Sequence, residues 1–140
     1  MRINRYTDYA YRVLMYLAVN NSERATMAGI ASYYGISHEH LRKVVHQLST
    51  LGYINTYIGK GGGMELKKAP AKINLGRVFM EFEGINPLID CYEANCPLRA
   101  SCDLNHVFAK AQRAFLDEVK QHTLADLLQN TRMAKTLMNP

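Results

Sequence analysis

Residues 26–51 read TMAGIASYYGISHEHLRKVVHQLSTL and carry the clearest structural signal in the chain. Its first part predicts a short helix over 26–34 that ends at Gly35, because glycine adopts the left-handed turn at a helix end without strain. Ser37 has the side chain of a helix N-cap, and the apolar residues after it are spaced by three or four, as on the buried face of a helix. Two helices joined by a tight glycine turn form a helix-turn-helix.

The flanking segments complete a winged helix-turn-helix. A first helix is predicted over residues 7–19, with Thr7 as its N-cap, because its apolar residues fall on one face. After the helix-turn-helix, residues 53–58 are rich in β-branched and aromatic side chains, and residues 64–67 can pair with them around the glycine loop 59–63. We therefore expect a mainly α-helical fold with a small β-hairpin wing.

The charge of the chain is concentrated in this first half. Residues 1–72 contain ten Lys and Arg against four Asp and Glu, whereas residues 73–140 contain seven against eight. A basic half indicates contact with a polyanion, although a solvated charged face is the alternative interpretation. We expect residues 1–72 to bind double-stranded DNA.

The third helix and the wing supply the candidate DNA-binding residues. They are Ser37, His38, Glu39, His40, Arg42, Lys43 and Lys60. The helix N-terminus is the part that enters the major groove, so we assign residues 38–40 to base edges. Ser37, Lys43 and Lys60 are assigned to the DNA backbone.

Length and composition indicate one compact domain. The chain has 140 residues, of which 48% are hydrophobic, so it can bury one core. It lacks the roughly 18 consecutive apolar residues of a membrane span and a signal peptide at its start, so we expect a cytoplasmic protein without membrane contact. No Ser-His-Asp or Cys-His catalytic arrangement is supported, and we expect no enzymatic activity.

The second half is predicted to contain a short helix and a long one. The short helix covers 75–82 and ends at Gly84. The long helix covers 104–128 and carries an apolar stripe that includes His122. The same helix of a second subunit would cover this stripe and form a homodimer, and folding back onto its own domain is the alternative. The expected regions are 1–72 for DNA binding, 73–103 for the connecting helix and cysteine loop, 104–129 for dimerisation and 130–140 for a tail without a clear pattern.

The three cysteines lie in one loop with the spacing C-x₄-C-x₅-C. An odd number of cysteines in a cytoplasmic chain argues against a disulfide framework and favours metal or redox chemistry at Cys91, Cys96 and Cys102. Both an iron-sulfur cluster and zinc suit such thiolates. The spacing favours His106 as a fourth ligand, with carboxylates such as Asp8 as alternatives.

Several motifs together resemble the IscR/NsrR family of winged-helix iron-sulfur regulators. They are YTDYAYRVL at 6–14, the turn before LRKVVHQL at 41–48, the wing with its glycines at 61–63, and the cysteine loop. The likeness runs from about Asn4 to Leu128. Cysteine spacing and the TLADLL sequence at 123–128 look most like the nitric-oxide-sensing members.

This resemblance implies a repressor that binds a pseudo-palindromic operator as a homodimer with an iron-sulfur cluster, 4Fe-4S or 2Fe-2S. It also implies that nitric oxide attacks the cluster and releases DNA. Members of this kind take an aspartate of the partner's first helix as the fourth ligand, which corresponds to Asp8 here. Other members use a His three residues after the last cysteine, where this chain has Asn105, and this ranks His106 below Asp8.

One departure and three alternatives remain. Family members often carry an Arg before the wing glycines, where this chain has Ile58, so Lys60 is the nearest basic substitute. An iron- or cluster-status regulator of the IscR or RirA kind is the nearest alternative function. A zinc-stabilised DNA-binding protein and an iron-sulfur electron carrier are more distant ones.

Overall fold

The computed structural model describes residues 2–91 and 93–138, and in this part the chain is mainly helical with one two-stranded antiparallel sheet, as predicted. The elements in chain order are α1 (Arg5–Val19), α2 (Met27–Tyr34), α3 (His38–Thr50), β1 (Ile54–Tyr57), β2 (Gly63–Leu66), a 3-10 turn (Pro70–Lys72), α4 (Leu75–Glu83), α5 (Asp103–Val119), α6 (Leu124–Leu128) and α7 (Thr131–Met138). None of the helices in these ranges is both long and apolar enough to cross a membrane.

Helix α1 lies at the centre of the core. Its apolar residues recur at helical spacing, and Ala10, Val13 and Leu14 are completely buried. The helix as a whole packs against α3, α4, α6, α7 and β2, so most of the fold is built around it.

The predicted cap of α1 is wrong. Asn4, not Thr7, is the N-cap, and its side chain accepts a hydrogen bond from the Thr7 N–H at 2.9 Å. Thr7 is completely buried inside the first turn, and its hydroxyl donates to the Glu83 carboxylate at 2.6 Å. Asn and Thr are both favoured at N-caps, so residue type alone does not distinguish position 4 from position 7. The Thr7 hydroxyl is bound to Glu83 on α4, and the cap lies three positions upstream at Asn4.

The helix-turn-helix forms where it was predicted. Thr26 caps α2 by accepting a hydrogen bond from the Gly29 N–H, and Gly35 ends that helix with a φ of +65°. Ser37 caps α3 through the His40 N–H at 3.3 Å. Each of these signals is local in sequence, which is why the pattern could reveal them.

The wing is the hairpin of β1 and β2. Ile54 pairs with Leu66, and Tyr57 pairs with Gly63. Ala25 extends the sheet, because its N–H donates to the Met64 carbonyl at 3.0 Å and its carbonyl accepts from the Met64 N–H at 2.8 Å. A Cβ at position 63 would lie 2.7 Å from the Ala25 carbonyl oxygen, so this close approach requires glycine.

The predicted long helix is interrupted. Helix α4 forms as predicted, but α5 ends at Val119 and α6 begins only at Leu124, so a single helix over 104–128 is wrong. The intervening backbone pairs instead with the segment before α4: the Leu75 N–H donates to the His122 carbonyl at 2.9 Å, and the Leu124 N–H donates to the Ile73 carbonyl at 2.8 Å. His122 is exposed rather than part of a buried stripe.

Residues 131–138, for which the sequence shows no clear pattern, form α7 against the first two helices. The Asn20 amide donates to the Leu137 carbonyl at 3.0 Å, and the Tyr33 hydroxyl donates to the Thr136 carbonyl at 3.0 Å. Leu137 is buried against the core, so this segment is an integral part of the domain.

Candidate nucleic-acid interface and metal centre

One face of α3 is polar and open to solvent. The exposed side chains on it are His38, Glu39, His40, Arg42, Lys43 and His46. The opposite face, with Leu41, Val44, Val45 and Leu48, is buried and fixes the helix on the domain. The Tyr6 hydroxyl donates to the Lys43 carbonyl at 2.9 Å and ties α3 to α1. The predicted contact residues of α3 therefore share one accessible surface.

The wing stands beside this face. A cleft of about 450 Å³ separates them, and its lining includes Arg42 and His46 from α3 and Tyr57 and Ile58 from the wing. Lys60, the predicted wing contact, is exposed in the loop at the wing tip. Helix and wing thus form two neighbouring projections on one side of the molecule.

A cluster that sequence reasoning missed holds the wing in place. The Arg24 guanidinium lies 3.4 Å from the centroid of the Tyr57 ring, and it donates to the Gly61 carbonyl at 3.3 Å. The Tyr57 hydroxyl donates to the Glu65 carboxylate at 2.8 Å, and this bond raises the pKa of Tyr57. The hairpin register could have suggested the contact between Tyr57 and Glu65, but Arg24 lies outside the hairpin and carries no local signal.

The cysteine loop connects α4 to α5. Cys91 is buried, Cys96 and Cys102 are half-buried, and all three are free thiols. The Cys96 N–H donates to the Cys91 carbonyl at 3.4 Å, next to a left-handed turn at Asn95 with a φ of +47°. Cys102 occupies the N-cap position of α5 without a capping hydrogen bond from its side chain.

The donor set of this loop fits a thiolate-bound group. Iron-sulfur clusters are held by cysteine thiolates, and the N-terminus of α5 is an electrostatically favourable place for an anionic group. Over residues 2–91 and 93–138, no three His, Cys, Asp or Glu side chains are close enough together to hold a metal ion. His106 is exposed in the first turn of α5. A single chain thus contains the predicted ligand residues, but its described part does not bring three of them close enough to bind one metal ion.

Asp8, the other candidate ligand, lies on α1 and forms an ion pair with Arg12 at 2.9 Å. Its side chain is 44% exposed, so it remains accessible from outside the chain. The hydrogen bond that the Arg12 guanidinium donates to the Asp8 carboxylate raises the pKa of Arg12, and the same guanidinium lies 5.6 Å from the centroid of the Tyr34 ring of α2. Asp8 thus faces outward beside the helix-turn-helix.

A helix-turn-helix with an exposed second helix and an adjoining wing defines a DNA-binding transcription regulator. Solved structures of such regulators share the fold. IscR of T. potens has a TM-score of 0.72 and 20% identity over 94% of this chain and 88% of that one. CymR, the global cysteine regulator of B. subtilis, has a TM-score of 0.70 and 22% identity over 91% and 95% of the two chains.

Sequence comparison is more specific. Residues 3–130 match the Rrf2 family, described as iron-dependent transcriptional regulators. The HTH-type transcriptional regulator NsrR of Bacillus licheniformis is 41% identical over 99% of this chain and 100% of its own length. NsrR of Bacillus subtilis is 39% identical over 93% of this chain and 92% of its own length. The chain therefore belongs to the Rrf2 family of transcriptional regulators, and its relatives are regulators rather than enzymes.

Proposed function

We propose that this protein is a cytoplasmic, iron-sulfur-dependent transcriptional repressor that nitric oxide releases from DNA. The observation that carries the proposal is the polar, solvent-exposed face of α3 standing beside the wing. The three free cysteines between α4 and α5 support the cluster, and the relatives named NsrR support the kind of regulator.

The DNA contacts follow from the exposure of α3 and the wing. The N-terminus of α3 enters the major groove, with His38, Glu39 and His40 at base edges. Ser37, Arg42 and Lys43 lie close enough along the same helix to meet phosphates, and Lys60 reaches the DNA from the wing. Phosphate contacts position the helix, whereas the base contacts select the sequence.

A homodimer is supported by the apolar face of α5. Leu104, Val107 and Phe108 recur at helical spacing and are 56%, 61% and 40% exposed. Contiguous exposed apolar side chains mark interaction surfaces, and a second copy of α5 matches this one in length and chemistry. A twofold dimer places two recognition helices roughly one DNA turn apart, so it fits a pseudo-palindromic operator.

Cys91, Cys96 and Cys102 would hold the cluster, with Asp8 of the partner subunit as the fourth ligand and His106 as the alternative. A bound cluster, 4Fe-4S or as the alternative 2Fe-2S, supplies iron that reacts with nitric oxide. In the dimer, the Asp8 carboxylate would leave its ion pair with Arg12 and bind the cluster in the partner's cysteine loop. This bond would join α1 of one subunit to the cysteine loop of the other. Since α1 packs against α3, a change at Asp8 can move the recognition helix.

An iron-status regulator is the second candidate, because the matching family is described as iron-dependent. It would use the same cysteines and the same DNA-binding surface. The two candidates differ only in the signal that releases DNA.

The first test is a titration of the protein purified without oxygen. Iron and sulfide are measured per chain, and duplexes selected from a random-sequence library serve as the DNA probe. We expect the visible absorbance of the cluster to be lost in step with DNA release as nitric oxide is added. Release on iron removal but not with nitric oxide would support the second candidate, and zinc without iron would contradict both.

Two variants separate the cluster from the coupling. Cys91→Ala should abolish the cluster and weaken DNA binding by about ten-fold or more, which corresponds to a coupling of about 1.4 kcal/mol. Asp8→Ala should retain the cysteine ligands but alter the response of DNA binding to nitric oxide. Asp117→Ala, which removes an exposed carboxylate from α5, is the matched control. Unchanged nitrosylation and DNA release in Asp8→Ala would contradict the role of Asp8.

A further inference from the structure

One carboxylate at the end of α4 holds the start of α1. The Glu83 side chain accepts a hydrogen bond from the Thr7 hydroxyl at 2.6 Å and another from the Asn4 N–H at 3.2 Å. Thr7 is completely buried, so its hydroxyl needs a hydrogen-bond partner inside the protein. The Asn4 side-chain oxygen lies farther from this hydroxyl, at 3.1 Å, which makes Glu83 the closer partner.

Further contacts join the first turns of α1 to both ends of α4. The Tyr11 hydroxyl donates to the Leu75 carbonyl at 2.7 Å, where α4 begins. The centroids of the Tyr6 and Phe82 rings lie 5.5 Å apart, next to the end of α4. The first turns of α1 and the whole of α4 are therefore packed as one unit.

This helical unit carries one candidate ligand and leads directly to the others. Asp8 follows Thr7 on α1. Glu83 is the last residue of α4, and after Gly84 the chain enters the loop that contains the three cysteines. The hydrogen bond between Thr7 and Glu83 thus connects the turn that carries Asp8 to the helix end from which the cysteine loop starts.

The described part of the cysteine loop is largely exposed. Residues 85–90 and 93–101 are all exposed except for the half-buried Ile89 and Cys96. Segments with few buried contacts open easily, so their order depends on the elements that hold their ends. A restraint on the end of α4 is therefore a restraint on this loop.

In the proposed dimer, each chain takes part in both metal sites. Its three cysteines belong to one site, and its Asp8 reaches the loop of the partner subunit and completes the other. The contact of Thr7 with Glu83 therefore lies, within one chain, between a ligand of one site and the ligands of the other.

We propose that Thr7 and Glu83 are positioning residues that couple the two metal sites of the dimer, so that filling one site favours filling the other. The inference rests on the proposed function and states how its two sites act together. When Asp8 is held at the first site, the start of α1 is restrained, and the contact with Glu83 passes this restraint to the cysteine loop of the same chain. A loop that is already ordered loses less conformational entropy on binding, and this gives positive cooperativity.

The first test counts the filled metal sites in each dimer. The full chain is purified without oxygen, loaded with limiting iron and sulfide until half of the sites are filled, and examined by native mass spectrometry. Independent sites would leave about half of the dimers with a single cluster, whereas a coupling of about ten-fold lowers this share to about a quarter. We expect about a quarter for the wild-type protein.

Two substitutions of Thr7 separate its hydrogen bond from its packing. Thr7→Val keeps the shape of the side chain but removes the hydroxyl, so the share of singly loaded dimers should rise to about half. Thr7→Ser keeps the hydroxyl, and the share should remain at about a quarter. In protein without metal, amide exchange over residues 85–102 should be faster in Thr7→Val than in Thr7→Ser.

A substitution on the other side of the contact repeats the test without changing the buried threonine. Glu83→Ala should also raise the share of singly loaded dimers to about half, and it decides the question if Thr7→Val does not form a folded dimer. Glu118→Ala is the matched control, because it removes a carboxylate of α5 whose side chain is 70% exposed. This control should leave the share at about a quarter.

A wild-type protein with about half of its dimers singly loaded would overturn this inference but leave the proposed function intact. A lower thermal midpoint in the variants without any rise in this share would do the same, because it would show a purely structural role for the contact. If the protein held no cluster or formed no dimer, both the inference and the proposed function would be wrong.

Discussion

The Arg24 side chain joins the wing loop to the segment before α2. It touches the Tyr57 ring, the Gly61 carbonyl and, at 3.7 Å, the Glu65 carboxylate. These three partners come from β1, the loop and β2, so one guanidinium contacts every part of the hairpin. A planar, delocalised cation is suited to stacking and hydrogen bonding at the same time.

We expect Arg24→Ala to loosen the wing more than it destabilises the protein. Exposed cation-π contacts and surface ion pairs each contribute about 1 kcal/mol or less, so the free energy of unfolding should fall by about 1 kcal/mol. Amide exchange over β1 and the wing loop should nevertheless accelerate, because the wing loses its outer contact.

Hydrogen exchange followed by mass spectrometry checks this expectation. Arg24→Lys should restore little of the protection, since lysine keeps the charge without the planar stack. Arg113→Ala, on an exposed position of α5, is the control for loss of a surface arginine. Unchanged exchange in the wing of Arg24→Ala would show that the backbone pairing of Ala25 with Met64 is sufficient.

At the scale of elements, the junction between α5 and α6 depends on a capping box. The Thr123 N–H donates to the Asp126 carboxylate at 2.7 Å, and the Thr123 hydroxyl donates to it at 3.0 Å. These hydrogen bonds lower the pKa of Asp126 below its ordinary value of 3.8. The start of α6 is therefore favoured when this carboxylate is ionised.

The stabilisation by Asp126 should depend on pH with a definite sign. Because the pKa is lower in the folded state, the contribution is fully present above a pH of about 4 and is lost as the pH falls through the folded value. Asp126→Asn should therefore be less stable than wild type near neutral pH, and the difference should shrink in acid. Urea denaturation near neutral pH and in acid measures the difference in the free energy of unfolding between wild type and Asp126→Asn, with Asp117→Asn as the control. A difference that is the same at both pH values would contradict the role of the charge.

The same junction shows which parts of the fold a sequence pattern can predict. The helix-turn-helix was predictable because Thr26, Gly35 and Ser37 act on their immediate neighbours. The break after Val119 was not, because the apolar spacing continues through it and its cause is pairing with residues 73–75, far away in the chain. The start of α1 was misplaced for a similar reason, the contact of Thr7 with Glu83.

At the scale of the whole molecule, α5 has two differently packed parts. Its C-terminal part packs on α4, where the Phe79 and Phe115 rings lie 5.2 Å apart. Its N-terminal part is exposed beside a groove of about 700 Å³ that includes Phe108 and Leu88. One portion of α5 thus folds back on its own domain, as the alternative interpretation expects, whereas pairing of the exposed portion with a second subunit stays a prediction.

We expect Phe108→Glu to convert the proposed dimer into a monomer, because it buries a charge in the apolar contact between two α5 helices. DNA binding should weaken together with dimerisation, since each half-site is then bound separately. Analytical ultracentrifugation and binding to the selected duplexes measure the two effects. Ala109→Glu, on an exposed position pointing away from the apolar stripe, is the matched control. A wild-type protein that is already monomeric would contradict the proposal.

The candidate metal centre could be predicted as a set of donor residues, whereas their assembly into a site stays a prediction. The spacing of the three cysteines located the loop, and all three thiols are free in the structure. The sequence by itself offered Asp8 only as one carboxylate alternative to His106, and its rank above His106, as a ligand from the partner subunit, came from the family resemblance and stays a prediction. The contact of Arg24 with the wing could not be predicted from the sequence either, because it joins residues from separate segments.

The packing of α1 also bears on how the protein is made. Asn20, at the end of α1, donates a hydrogen bond to Leu137, which comes 117 positions later. A ribosome releases the chain from its N-terminus at about 5–20 residues per second, so α1 emerges several seconds before the helix that covers it. The apolar face of α1 is therefore partly exposed while the rest of the chain is synthesised. A product that ends before α7 leaves part of this face exposed permanently. Premature termination would therefore yield protein prone to capture by chaperones or proteases.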